Sequence, residues 1–249
     1  MAGPWFVDPE NGLTTNNGLS ADTPWQLIPG QTGATAQTGY GVVAGDVINI
    51  KRGTTTTLRI SPPANNLTYR GYGESSNGIT LRVPGKNPTA VNEINIDGFW
   101  VLDGTAIDAD GAINSGARTG LVFEDVKVLG SQIGARHAVT LASSAISASG
   151  FTMRRFWISG AAGRGISGNT TNVTLEYGRI EYTRDDNIGL NAWAANSYRA
   201  GSTDRLRYLE LIEPNRASEG AVEDGAAGDH LQLQPSDGKW DGSMLSVGV

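Results

Sequence analysis

With 249 residues, 34 of them glycine, and only 18% charged residues, the chain can bury one large core and is punctuated for many short strands rather than long helices. A net charge of −6 and a pI near 4.9, without a Lys/Arg cluster, exclude nucleic acid as an expected partner. Cysteine is absent, which excludes disulfides and thiolate metal sites, and no apolar run is long enough for membrane insertion as a helix.

Residues 3–29 open with a short strand, Trp5-Phe6-Val7, and then carry dense turn chemistry at Asp8-Pro9, Asn11-Gly12, Asn17-Gly18 and Thr23-Pro24. The start MAGPWFVDP has no basic stretch leading into an apolar core, so no secretory leader is expected in it. Residues 30–35 hold too much Gly and Thr for a helix. Residues 1–44 are expected to form an opening cap and 45–249 the body of one fold.

Within that body Val47, Ile48 and Ile50 form a first strand that Gly53 ends, and Leu67/Tyr69 and Ile79/Leu81/Val83 supply further inward alternations. Residues 84–92 read as a loop. From Ile94 one unit recurs: INIDGFWVLDG, LVFEDVKVLGS, FTMRRFWISGA and VTLEYGRIEYT start at Ile94, Leu121, Phe151 and Val173, in steps of 27, 30 and 22 residues. A fifth copy, Leu206 to Ile212, slips by about one position. Each unit is a short strand, a two-residue polar corner such as Arg154-Arg155 or Glu176-Tyr177, a second strand, and a turn into a third. The third strands align at Val139, Ile166, Ile188 and Leu231. Units of this length stack only on their neighbours and bury a continuous column, here expected to hold Ile94, Ile96, Leu121, Phe123, Phe151, Met153, Val173, Leu175, Ile166, Ile188 and Leu190. Unequal steps with constant strands put the insertions in one class of loop.

Two places before the third-strand position stand His137, Arg164, Asp186 and Asp229; one place before it stand Ala138, Gly165, Asn187 and His230. Stacked in register, Asp186 and Asp229 would lie about 5 Å apart. Carboxylates so close suit a retaining glycosidase, because their repulsion raises one pKa and makes an acid of that group. His230 could shuttle the proton and Arg164 could hold an acidic sugar. Asn187, Trp193, Tyr198, Glu223 and Asp224 are the further candidates for substrate contact. The same aspartates also suit turn caps that accept backbone N–H groups, so both readings are open. Loop 213–229 carries Glu213, Glu219, Glu223, Asp224 and Asp229, a density that could hold Ca²⁺, yet it lacks EF-hand spacing. No metal or other cofactor is expected.

In the aligned units Trp100, Lys127, Trp157 and Arg179 share a position flanked by inward residues, so they should project outward. Exposed Trp suits either sugar stacking or an interface with a second copy of the chain. The segment Asp241 to Val247 reads like the start of a strand, so the natural protein is expected to continue or to be covered there.

The turn-rich opening and the repeat together resemble the all-β, right-handed parallel β-helix of the pectate-lyase-like superfamily, a solenoid of about 22–30 residues per coil. The likeness is strongest to phage tailspike and tail-fibre polysaccharide depolymerases. Asn169, Asn191 and Gln234, three places beyond the third-strand position, would stack like the amide ladder of pectate-lyase-type helices. Asp185-Asp186 and Gly228-Asp229-His230 resemble the aspartate pair and Gly-His-Gly segment of polygalacturonase-type hydrolases. Leu231 replaces the second glycine, and no Arg-Ile-Lys segment follows. The resemblance implies a protein of the virion tail, extracellular after release, that binds a bacterial surface polysaccharide, depolymerises it if the carboxylates are competent, and assembles as a homotrimer. The alternatives are a secreted bacterial lyase or hydrolase and a non-catalytic rod. Lyases of this fold usually use a basic residue and Ca²⁺; with only Lys51, Lys86, Lys127 and Lys239 as lysines, a hydrolase is preferred.

Overall fold

A computed structural model describes residues 3–74, 79–84, 91–96, 98–107, 111–130, 137–141, 149–168, 170–184, 187–189 and 205–212. After the opening strand β1 (Pro4–Val7), the first coil contributes β2 (Val47–Lys51) and β3 (Thr55–Thr56). The second contributes β4 (Thr68–Tyr72), a hairpin of β5 (Ile79–Pro84) and β6 (Val91–Ile96), then β7 (Trp100–Asp103) and β8 (Ile113–Asn114). Next come β9 (Val122–Leu129) and β10 (Val139–Leu141), β11 (Thr152–Ala161) and β12 (Ile166–Gly168), and β13 (Thr174–Thr183) and β14 (Ile188–Gly189). The last described strand is β15 (Arg205–Ile212).

Parallel pairing winds these strands into a right-handed parallel β-helix. The long strands β9, β11, β13 and β15 each cover two faces of the coil. Their first halves continue the sheet of β1, β2 and β4, with Tyr69 beside Phe123 beside Met153 beside Leu175 beside Leu206. Their second halves continue β3 and β7, with Trp100 beside Val126 beside Phe156 beside Gly178. The third face is β8, β10, β12 and β14, with Ile60 bridged to Ile113 ahead of Val139, Ile166 and Ile188.

Two corners turn the chain through left-handed backbone. Before the first face stand Gly45, Asn66, Gly120, Gly150 and Asn172, all at positive φ. Glycine and asparagine carry that conformation at least cost. Between the first and second faces stand Asp125, Arg155, Tyr177 and Tyr208, at φ 58°, 49°, 56° and 54°. For such side chains the left-handed region costs about 1–2 kcal/mol each, offset by contacts up the column. Asp125 is buried and accepts Arg155 Nε at 2.6 Å and Arg52 Nη2 at 3.1 Å. Arg52 therefore reaches from the first coil past Gly71 of the second to the third.

Inside, Tyr69, Phe123 and Phe151 form an aromatic column, and Phe156 fills the space that Gly178 leaves by having no side chain. The described residues contain no α-helix; a 3₁₀ turn at Ala34–Ala36 is the only helical piece among them. The open end of the column is closed instead by Trp5 and Trp25, stacked at 4.5 Å, with Ile28 buried beside them in the same core. Residues 18–25 also bond the outer edge of β1, through Phe6 N to Gly18 O and Trp25 N to Phe6 O, which blocks it against strand addition.

Four expectations are corrected here. The unit written from Ile94 is not a coil: β6 pairs antiparallel with β5, and the strand aligned with Leu121 begins at Leu67. Ile79, Leu81 and Val83 likewise belong to the hairpin and not to the stack. The hairpin leaves the stack after Tyr72 and the chain rejoins at Trp100, so this insertion lies between the first and second faces. The other variable lengths fall elsewhere, between Leu129 and Val139 and between Gly189 and Arg205, so the insertions are not of one loop class. The copy at 205–212 stacks without a slip once Arg205 is set beside Thr174. Asn169, Asn191, Gln234 and Leu231 lie outside the described residues.

The cap is locked to the first coil by Asp8. Its carboxylate accepts Lys51 Nζ at 2.7 Å and the backbone N–H groups of Glu10 and Asn11. Burial by itself would raise the Asp8 pKa, but the Lys51 and backbone hydrogen bonds outweigh it and hold the carboxyl below the ordinary aspartate value. A depressed carboxylate contributes stability above its unfolded pKa and loses it as pH falls through the folded value. Melting temperature is therefore expected to fall below about pH 4, and Asp8→Asn should flatten that part of the profile. An unchanged acid limb in Asp8→Asn would show that this lock contributes nothing.

Candidate functional site

The residues expected to carry chemistry divide into those the structure describes and those it does not. Asp186, Asp229, His230, Trp193, Tyr198, Glu223 and Asp224 lie outside the described residues. Arg164, Asn187, Trp100, Lys127, Trp157 and Arg179 are described.

At the corner leading to the third face, the register is as expected. Arg164 N donates to His137 Nδ1 at 3.0 Å, Ala138 N to Arg164 O at 3.1 Å, and Ile166 N to Asn187 O at 3.0 Å. His137 and Arg164 thus stand on successive coils at one position. Because Nδ1 accepts, the proton of a neutral His137 is on Nε2. Asn187, a candidate for substrate contact, is buried at 5% exposure, and its Oδ1 accepts Thr183 Oγ1 at 2.9 Å. Its amide closes the turn from β13 to β14.

On the second face the outward column is Val101, Lys127, Trp157, Arg179 and Glu210. Trp100 is not in it. The chain returns from the hairpin with Trp100 beside Val126, one residue from the expected alignment, and a one-residue shift turns every side chain to the opposite face. Trp100 is 0% exposed, with Nε1 donating to Glu124 O at 3.0 Å. It is a core residue and neither a sugar platform nor an interface anchor.

Trp157 does face outward, and its ring is already occupied. Lys127 Nζ sits 3.6 Å from one ring centroid and Arg179 Cζ 5.6 Å from it. Trp157 Nε1 donates to Glu181 Oε1 at 2.8 Å, and Arg179 Nε donates to Glu181 Oε2 at 2.7 Å. Arg179 Nη1 also faces Glu210 Oε2 at 3.5 Å. Burial holds the Lys127 pKa below the ordinary lysine value; Glu181 pulls it up and Arg179 pushes it down again. Glu181 is not among the candidates that the sequence suggests. Its signal is its place two residues beyond Arg179, on the same side of the strand.

The outward row of the first face alternates in charge. Glu124, Arg154, Glu176 and Arg207 lie on successive coils, and Arg154 bridges Glu176 at 3.1 Å and Glu124 at 3.6 Å. Beside this row at the corner, Tyr177 and Tyr208 stack with ring centroids 4.8 Å apart and planes 7° apart. Among the described residues no group of three or more His, Asp or Glu is arranged to hold a metal ion.

No family model matches the chain, and no curated protein matches it. Solved structures similar to it include a pectin methylesterase from Aspergillus niger (13% identity, TM-score 0.46, covering 88% of this chain and 69% of that one). Others are a rhamnogalacturonan lyase (12%, 0.34, 88% and 64%) and a lacto-N-biosidase from Eubacterium ramulus (11%, 0.40, 72% and 36%). The chain thus spans about a third of the length of the lacto-N-biosidase. What those enzymes act on is a property of those enzymes.

Proposed function

We propose that this chain is a carbohydrate-active β-helix protein that engages a bacterial surface polysaccharide along its flank, as a tailspike or tail-fibre depolymerase of a virion does. The observation that supports this reading is the outward surface of the first two faces. Charged and aromatic groups repeat there from coil to coil at one strand spacing, Glu124–Arg154–Glu176–Arg207 on one face and Lys127–Trp157–Arg179–Glu210 on the next. A rigid row of hydrogen-bonding groups about 4.8 Å apart suits an extended polymer rather than a compact ligand. In this reading Asp186 and Asp229 are the acid and nucleophile of a retaining hydrolysis, His230 relays the proton, and Arg164 holds an acidic sugar. Trimeric assembly is part of the proposal, without Trp100 as an anchor.

The test is reducing-sugar release from purified capsular and O-chain polysaccharides. Asp186→Asn and Asp229→Asn are each expected to abolish release with the melting temperature unchanged. If both are turn caps, each change lowers stability by about 1 kcal/mol and leaves release intact, which overturns the assignment. A second reading, a stiff rod without activity, is favoured by the engagement of Trp157 and the burial of Asn187. Absence of both binding and release would select it.

A further inference from the structure

Tyr208 is the outermost described ring at the corner between the first and second faces. It is 49% exposed, and among the described residues only Tyr177 stacks on it. Trp157, by contrast, is stacked by Lys127 and Arg179. Tyr177 and Tyr208 both sit in left-handed backbone, at φ 56° and 54°, where glycine or asparagine would be the undemanding choice. The same column in the preceding coils holds an ion pair, Asp125 with Arg155, and changes to aromatic only at these two coils. Directly beside the rings run Glu176, bonded to Arg154 at 3.1 Å, and Arg207. The hairpin that departs from this corner in the second coil brings the backbone of β5 within 8 Å, Cα to Cα, of β15 and β13.

We propose that the Tyr177–Tyr208 corner is a sugar-binding subsite for one pyranose ring of a polysaccharide. The carbohydrate reading given above is its premise. The Tyr208 ring takes the C–H face of the sugar, while Glu176, Arg154 and Arg207 meet its hydroxyls from the adjoining row. Tyr177 backs the Tyr208 ring and keeps it parallel to the coil. The backbone of β5 flanks the strands that present the pair.

Affinity electrophoresis through gels containing dextran, xylan, polygalacturonate or purified bacterial O-chain polysaccharide tests this. The whole chain is compared with Tyr208→Ala, Tyr208→Asn and Tyr208→Phe. Asparagine tolerates the left-handed backbone and removes the ring, so it separates loss of the ring from loss of the fold. Retardation of the parent with roughly tenfold weaker binding in Tyr208→Ala and Tyr208→Asn, and about unchanged binding in Tyr208→Phe, is the expected result. A retarded parent whose affinity survives both ring deletions overturns the subsite and leaves the carbohydrate reading standing. A parent retarded by none of the polymers overturns both. A drop in mass by light scattering in Tyr208→Asn, with sugar affinity kept, would overturn the subsite by assigning the ring to contact with a second copy of the chain.

Discussion

Phe123→Ala is expected to destabilise the protein by about 3–5 kcal/mol and to broaden its unfolding transition. Phe123 is fully buried in the third coil, stacked on Tyr69 at 4.7 Å with planes 6° apart and 5.8 Å from Phe151. Truncation leaves a cavity in the middle of the column. Tyr69 cannot drop into it, because its hydroxyl is bonded to Pro29 O at 2.9 Å and its backbone is paired on both sides. In a stack of nearest neighbours the loss weakens two interfaces at once, so cooperativity suffers along with stability. Phe123→Leu keeps most of the volume and should cost only about 1 kcal/mol. Guanidinium unfolding followed by circular dichroism separates the two; equal small losses would place the ring outside the column.

Gly130→Ala should be as damaging for a different reason. Gly130 follows β9, and its N–H bonds to Ser159 O at 3.0 Å. A Cβ at this point would overlap the Gly160 carbonyl of the next coil and stand 2.8 Å from Ala161 Cα. Both obstacles are backbone, held by the ladder, so relief requires the coils to part. A loss of about 4 kcal/mol or more is expected, read from the same denaturation curves. Gly73→Ala is the control. Gly73 has φ 77°, but a Cβ added there would meet nothing within 4 Å, so only the backbone penalty applies, about 1 kcal/mol. Equal effects at the two glycines would mean that the coils are not in contact at Gly130.

The coil was legible wherever successive units are close in sequence and equal in strand length. Leu121, Phe151 and Val173 align by their alternation, and Val139, Ile166 and Ile188 by their place after a turn; the strand pairing keeps both sets in register. Alternation alone could not reveal which sheet buries a strand. Ile94 and Ile96 alternate as well as any coil residue, yet they belong to a hairpin inserted in the second coil, because a period of two is common to parallel and antiparallel pairing. That one displacement carried Trp100 from the outer column into the core, since register sets facing and only pairing sets register.

Which side chains face outward on the flank was legible to the same degree. Outward Lys127, Trp157 and Arg179 followed from strand parity, as did the stacking of His137 and Arg164. That Glu181 is buried beneath them, bonded to Trp157 and Arg179, needed the third dimension, because one donor stands on its own strand and the other on the neighbouring coil, and only their meeting covers the carboxylate. Nothing in the identity of Arg155, Tyr177 or Tyr208 marks a left-handed residue. The sequence by itself therefore determined a stacked β-coil, its third-face register and the residue types on its flank. The tertiary structure decided where the coil is interrupted, which tryptophan is buried and which of the described rings is half exposed, because those depend on partners fixed by packing between coils and not by spacing along the chain.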